Sequence, residues 1–450
     1  MPSIKRERIS SLMQSEQQKF ISERPKSRAL FERARKSLLG GVPMNWMVKW
    51  AGAFPPFVRE AHGAEIFDVD GHRYVDLCLG DTGAMAGHSP AATVAAVEQQ
   101  VARGITLMLP GEDSVWVGEE LQRRFALPFW QFALTASDAN RFSIRLARQI
   151  TGRGKILVFN WCYHGSVDET FITVENGLSK ARRGNIGPPV DPSLTTKVVE
   201  FNDVAALERA LQPGDVACVL AEPALTNVGI VLPAPGFHQQ LRELTRRYGT
   251  LLIIDETHTI CAGPGGYTRL ENLDPDFVVF GKPIGGGVPG AAYGFTQNVA
   301  EAIAARQNLE DSDVGGVGGT LAGNALSLAA MRATLEKVLT QKAYDHMLPL
   351  AERWTDGVAN AIAEFGVPWS VTRLGCRGEY LFLPRTPRNG GEAHDGMDFE
   401  LERFMHLFAM NRGILLTPFH NMALMSPATT NAHVDQHTNV FREALQALVN

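Results

Sequence analysis

The sequence predicts an α/β fold: a mostly parallel central sheet with flanking helices, plus a smaller α+β lobe formed by the N- and C-terminal segments. Three observations predict it. Four short apolar runs, at residues 155–160, 216–221, 251–254 and 277–280, show no polar/apolar alternation, as strands covered on both faces do. Helical patterns lie between most successive runs, which is how parallel strands are joined. Each run also delivers a polar or aromatic group just past its C-terminal end, the edge where open α/β sheets hold ligands. At 450 residues the chain is long for one core. The expected division is an N-terminal segment over 1–75 that is part of the small lobe, a large domain over 76–330, and a C-terminal small domain over 331–450.

Composition narrows the function classes. The chain has 43 basic and 48 acidic residues and a net charge of −5, which offers no electrostatic footprint for nucleic acid or an anionic membrane. No apolar run reaches the roughly 18 residues of a spanning helix. The opening MPSIKRERISSLMQ is basic but has no apolar stretch behind it, so no secretory signal is expected. Five cysteines are scattered, odd in number and without a CxxC. Reduced thiols in the cytoplasm are expected, with no metal site.

Taken in order, residues 1–26 are polar and charged. Ser27 is expected to cap a helix whose Leu30, Phe31, Ala34 and Leu38 share a face, ended by Gly40-Gly41. The Trp- and Met-rich stretch 43–57 reads as a buried contact of the small lobe. Phe67 and Val69, then Tyr74, Val75 and Leu77, flank Asp70-Gly71, a hairpin signal. Helical patterns at 91–104 and 113–125 lead to a short strand, Phe132-Ala133-Leu134. Thr135-Ala136-Ser137 then open a helix running to about Ile150. Small and hydroxyl residues at a helix N-terminus suit an anion, because free N–H groups and the dipole face it; a plain Ser or Thr cap fits the same residues.

The run from Lys155 ends near Tyr163, whose ring could stack on a flat ligand. Residues 180–196, with Arg182, Arg183 and three prolines, read as a loop over the site. The run at 216–221 delivers Glu222-Pro223. Leu251-Leu252-Ile253-Ile254 ends in Asp255-Glu256-Thr257, and Phe277-Val278-Val279-Phe280 ends in Gly281-Lys282 and a glycine-rich turn. Beyond 331 come a helix, short strands at 379–382 and 414–416, and further helices, the last with Val434, Phe441, Leu445 and Leu448 on one face.

A lysine backed by glycines can form an imine with a carbonyl compound, and a nearby aspartate can keep a pyridine nitrogen protonated. That pair equips pyridoxal 5'-phosphate (PLP) as an electron sink. For the pair alone, a solvated lysine beside a capping or metal-binding aspartate fits equally well. An aromatic, an amide, an acid and an amine at four successive strand ends point to PLP. No GxxxxGK[ST] is present, so a nucleotide P-loop is excluded.

With these motifs the chain resembles the class III, fold-type I PLP-dependent aminotransferases from about Gly40 to the C-terminus. Within them it is similar to the glutamate-1-semialdehyde aminomutase and the β-amino-acid and amine transaminase branches. GKPIGGGVPG (281–290) is the most specific motif, and the family's FDxDGxxYxD is complete in Asp68, Asp70, Gly71, Tyr74 and Asp76. The resemblance implies that Lys282 and Asp255 are catalytic. It implies a phosphate site at Thr135, Ala136 and Ser137, where Ala136 replaces a glycine and is strained only if its φ is positive. Tyr163, with His164 and Gly165, matches the aromatic-His-Gly motif against the ring, and Thr257, where the family usually has Val, lies on the opposite face. In EPALTNVG (222–229), Glu222 orients neighbours and Asn227 bonds the phenolic oxygen, with Thr226 in place of a glycine. Thr320, in GTLAGNAL, reaches the phosphate of a neighbouring subunit, which makes the active unit a homodimer. The substrate side falls to Trp46, Lys49, Phe419 and His420.

Substrate choice follows from what those segments lack. Carboxylate substrates commonly meet an arginine clamp, and neither 44–50 nor 414–425 contains an arginine. Trp46, Met47 and Phe419 suggest an apolar pocket, with Lys49 or His420 as a point charge. The expected reaction is therefore ω-transaminase-like. An amino group moves from a primary amine or non-α amino acid with an apolar body to a small keto acid such as pyruvate, through a Lys282 Schiff base in ping-pong fashion. The alternatives are a PLP-dependent aminomutase or racemase using the same residues, a decarboxylase, and a non-enzymatic binding protein on this fold.

Overall fold

A computed structural model describes residues 4–306 and 315–449. The chain divides into two compact units, each assembled from separated segments.

The larger unit comprises Ala91–Gln341 and Pro387–Asp395. Its seven-stranded sheet runs, in spatial order, Phe129–Ala133, Ala291–Phe295, Phe277–Phe280, Leu251–Asp255, Val216–Ala221, Lys155–Phe159 and Thr196–Val199. Ala291–Phe295 is antiparallel to both its neighbours, and the other described pairings are parallel. Val216–Ala221 and Phe277–Phe280 are buried at every residue. That burial is why they show no alternation in sequence: both faces meet helices or loops. The expected strand at 132–134 starts earlier, at Phe129. Two strands carried no readable signal, Thr196–Val199 and the glycine- and alanine-rich Ala291–Phe295.

Register fixes what matters for the site. Asp255 pairs with Val279 across the two adjacent parallel strands, and the Glu256 N–H donates to the Val279 carbonyl at 2.7 Å. Lys282 lies three residues past that line. Acid and amine therefore leave the same edge of neighbouring strands.

The smaller unit comprises Met1–Pro90, Lys342–Thr386 and Gly396–Asn450. It holds a four-stranded sheet of Val58–His62, Glu65–Asp68, Arg73–Asp76 and Ile414–Leu415, and an antiparallel sheet of Ser370–Leu374, Arg377–Leu381 and Met422–Leu424. The expected hairpin is present, and it is locked by a buried carboxylate. Asp68 accepts from the Tyr74 hydroxyl at 2.7 Å and from the backbone of Asp70 and His72, with His72 Nδ1 at 2.9 Å. Phe20, Phe54, Tyr74, Leu407, Met410 and Leu415 form one core cluster of this unit.

Ser27 does not cap its helix. Pro25–Ala34 starts at a proline in its first turn, a position that has no need of an N–H. The Ser27 hydroxyl instead donates to Asp70 at 2.6 Å and accepts from the Phe57 N–H. Among the described residues no helix is long and apolar enough to cross a membrane.

Candidate active site

The site in the larger unit is built around Asp255. Burial pushes its carboxyl up, but His164, Thr257 and Asn140 hold it below the usual carboxylate range. Asn140 Nδ2 donates to Oδ2 at 2.8 Å, His164 Nδ1 lies 2.8 Å from the same oxygen, and the Thr257 N–H donates to Oδ1 at 3.0 Å. An ionised carboxylate has about four lone-pair sites. Three are taken, leaving one for an N–H from a ligand. His164 is fully enclosed, which pushes its imidazole down. Cys162 and Asp255 push it up by more, to about 10. Asp255 is thus a buried anion held by partners fixed in the fold.

Lys282 stands at the end of the neighbouring strand, in the left-handed region with φ +49°. For a residue other than glycine that costs on the order of 1–3 kcal/mol and persists only where the surroundings impose it. It opens the short 3-10 turn Lys282–Gly285. Its Nζ lies 2.8 Å from His258 Nε2.

The helix start expected to hold a phosphate is unusually tight. Thr135 caps Ala136–Thr151, its Oγ1 accepting from the Asp138 N–H at 3.2 Å and donating to Asp138 Oδ2 at 2.8 Å. Ala136 is the first helical residue and its φ is not positive, so replacing glycine there brings no strain. Ser137 Oγ accepts from the Ser166 N–H at 3.0 Å. A Cβ on Gly281 would come within 3.2 Å of Ala136 on one side and Ala291 on the other. The first N–H groups of the helix and its dipole face this corner.

The remaining predicted residues of this unit line the loops after the other strands. Tyr163 is half-buried and meets Phe171 edge-on at 6.2 Å. Its N–H donates to Glu222 Oε1 at 3.3 Å, and Glu222 Oε2 accepts from the Thr226 hydroxyl at 2.5 Å. Burial pushes the Glu222 carboxyl up. Thr226 thus fills its glycine position by anchoring Glu222. Asn227 Nδ2 donates to the Trp161 carbonyl at 2.9 Å. Thr320 is exposed. Arg182, expected on a loop over the site, is buried, and both terminal nitrogens donate to the Cys162 carbonyl at 2.9 Å.

In the smaller unit, Trp46 meets Phe419 edge-on at 5.6 Å, and the exposed Lys49 has its amine 5.0 Å from the same ring. His420 is buried, with Nδ1 3.1 Å from Glu379 Oε1.

Three residues went unassigned in the sequence. Asn140 is one turn into the helix that Thr135 caps, on the same face as Ala136 at i+4. His164 sat inside a recognised motif without a role, and His258 directly follows Thr257. Asn140 and His164 both bond Asp255, a pairing across 115 and 91 residues that spacing alone does not show.

PLP fits these residues. Thr257 Oγ1, His164 Nε2 and Asn140 Oδ1 are buried without a hydrogen-bond partner. Native interiors rarely leave such atoms unpaired unless a ligand or water completes them. Together with the open lone pair on Asp255, the amine of Lys282 and the helix N-terminus, they offer partners for a ring nitrogen, a carbonyl carbon and a phosphate.

The profile of the aminotransferase class-III family matches residues 47–445. The chain is similar to a glutamate-1-semialdehyde-aminomutase structure from Pseudomonas aeruginosa, with 50% identity over 99% of both chains and a TM-score of 0.97. It is also similar to an omega-transaminase from Sphaerobacter thermophilus, with 29% identity, 94% and 98% coverage and a TM-score of 0.85. Among curated proteins, the glutamate-1-semialdehyde 2,1-aminomutase of Neisseria gonorrhoeae is 33% identical over 431 residues, covering 93% of this chain and 98% of that protein.

These likenesses confirm the fold-type I architecture and the family expected from the motifs. They overturn the expected reaction. Transfer from an apolar amine to a keto acid gives way to the aminomutase alternative, because the 50% identity over both whole chains is to an aminomutase. The physical reason is that groups at the strand ends equip the cofactor and serve transfer and isomerisation alike. The absence of arginine from two loops does not measure what else can hold a carboxylate.

Proposed function

The chain belongs to the class III aminotransferase family and uses pyridoxal 5'-phosphate, and on that premise we propose that it is an aminomutase. It would exchange the amino and oxo groups on adjacent carbons of one substrate, glutamate 1-semialdehyde or a close analogue. The observation that carries this reading is the 50% identity and 0.97 TM-score to the Pseudomonas aeruginosa aminomutase. Likeness at that level extends through loops as well as the scaffold, whereas the fold alone would say little about function.

When bound, PLP supplies a carbonyl that takes up an amino group and a protonated ring that draws electrons from the adjacent C–H bond. The chain's own residues do the rest. Asp255, kept ionised by His164 and Asn140, holds the proton on the ring nitrogen. Lys282 Nζ removes a proton from the substrate carbon and returns it one position away. Thr135, Ala136 and Ser137 bind the phosphate through N–H and hydroxyl groups at the helix start. Tyr163 and Thr257 would flank the ring, as the family resemblance implies. Glu222 fixes the loop that carries Asn227 toward the phenolic oxygen. In a homodimer, the exposed Thr320 would complete the partner subunit's phosphate site. By the family resemblance, Trp46, Lys49, Phe419 and His420 would serve the substrate side.

The test is product analysis. The PLP-loaded chain is given glutamate 1-semialdehyde with no other amine or keto acid, and the mixture is followed by NMR. The reading expects 5-amino-4-oxopentanoate, the same atoms with two groups exchanged. No isomer, or an isomer only when an external amine donor is added, would count against it.

A further inference from the structure

We propose that His258 is a positioning residue for Lys282, holding its amine at the sheet edge while the substrate, not the lysine, is joined to the cofactor. The proposal rests on Lys282 being the cofactor lysine. Three observations carry it. His258 Nε2 lies 2.8 Å from Lys282 Nζ. His258 is buried, and the segment that carries it is fixed by Glu256, two residues before it. The Glu256 carboxylate accepts from the Thr259 hydroxyl at 2.5 Å, from the Tyr267 N–H at 3.1 Å and from Thr268. Lys282 itself leaves the strand with a left-handed backbone, so both ends of the contact are set by the fold.

The need is one of freedom. A lysine side chain has many rotamers, and an amine not joined to the cofactor would sample positions useless for moving a proton between two carbons. A hydrogen bond to a charged group is among the stronger ones a protein makes, and it offsets that freedom. Imidazole suits the task in both states of the lysine. With its proton on Nδ1 it accepts from an ammonium at Nε2. It accepts there from an N–H of the neutral amine as well, so no proton has to cross the ring. A lysine that takes up and gives back one proton per cycle thus keeps the same partner in the same place.

The test compares His258→Leu, which removes the partner, with His258→Gln, whose amide can accept and donate. The first readout uses the chain without PLP. Lys282 is labelled by an amine-reactive reagent at pH 8 and quantified by peptide mass spectrometry. Removing the contact frees the amine, so the labelling rate of His258→Leu is expected to differ several-fold from that of the unaltered chain, and that of His258→Gln to stay within about twofold of it. With PLP bound, His258→Leu should lower kcat about tenfold or more, while KM and PLP affinity change little and His258→Gln keeps most of kcat. An unchanged labelling rate or an unchanged kcat in His258→Leu, or a His258→Gln as impaired as His258→Leu, overturns the proposal. Should His258→Leu fail to fold, the ¹⁵N shift of the His258 ring is compared in the unaltered chain and in Lys282→Ala. A shift of Nε2 supports the contact, and no shift overturns it. The labelling and NMR readouts use no substrate, so they stand or fall separately from the aminomutase reading.

Discussion

Asp255 shows how neighbours define a charged group. Alone at a strand end it could cap a turn or bind a metal. With Asn140, His164 and the Thr257 N–H on it, it becomes a fixed anion with one direction left open. Removing one such bond costs about 1.5–3 kcal/mol. Asn140→Ala is therefore expected to lower kcat/KM by roughly ten- to a hundredfold without unfolding the chain, measured by steady-state assay with circular dichroism as the control. An Asn140→Ala enzyme within twofold of the unaltered one would show that Asp255 does not depend on its holders. The strand-end positions of Asp255 and Lys282 were legible because an apolar run precedes each. Asn140 and His258 were not, because the meaning of a polar residue on a helix or turn depends on what the fold brings opposite it.

The same contrast holds for elements. The short buried strands were readable, since burial on both faces writes itself as an unbroken apolar run. Ala291–Phe295 was not: Ala-Ala-Tyr-Gly-Phe carries little strand propensity and is held by the neighbours it pairs with on either side. The helix start at Ala136–Thr151 was legible as a cap, but its tightness was not. Gly165 has φ +75°, and a Cβ there would collide with the Ser137 side chain. Both the conformation and the close approach demand glycine. Gly165→Ala is expected to push Ser137 out of the cradle and weaken PLP binding tenfold or more, about 1.4 kcal/mol, read by titrating the chain with PLP. Undiminished affinity would remove Ser137 from the phosphate site.

On the scale of the whole molecule, cofactor chemistry could be read and substrate could not. The sheet fixes strand-end groups, so their identity nearly states the chemistry. Substrate choice is a difference of affinities made by loops, and the loops around Trp46, Lys49 and Phe419 misled by composition. The smaller unit also makes a global prediction. Burial pushes His437, set between Trp354 and Phe441, down to about 3, and burial likewise pushes His406 down to about 4 despite its bond to Asn421. In the unfolded chain both titrate near 6.5. Their folded values are depressed, so their stability is fully present above about pH 6.5 and is lost as pH falls toward the folded values. His437→Leu should remove part of that slope, on the order of 2 kcal/mol less loss between pH 6.5 and pH 5. Urea unfolding at the two pH values measures it, and an unaltered slope would show that His437 is not held neutral.

The most direct measurement is chemical trapping. The PLP-loaded chain is reduced with borohydride and digested, and the cofactor's mass is located on its peptides. The account predicts the added mass on the peptide containing Lys282, and its loss in Lys282→Ala. Cofactor trapped on another lysine, or none trapped in a chain that binds PLP, would contradict it.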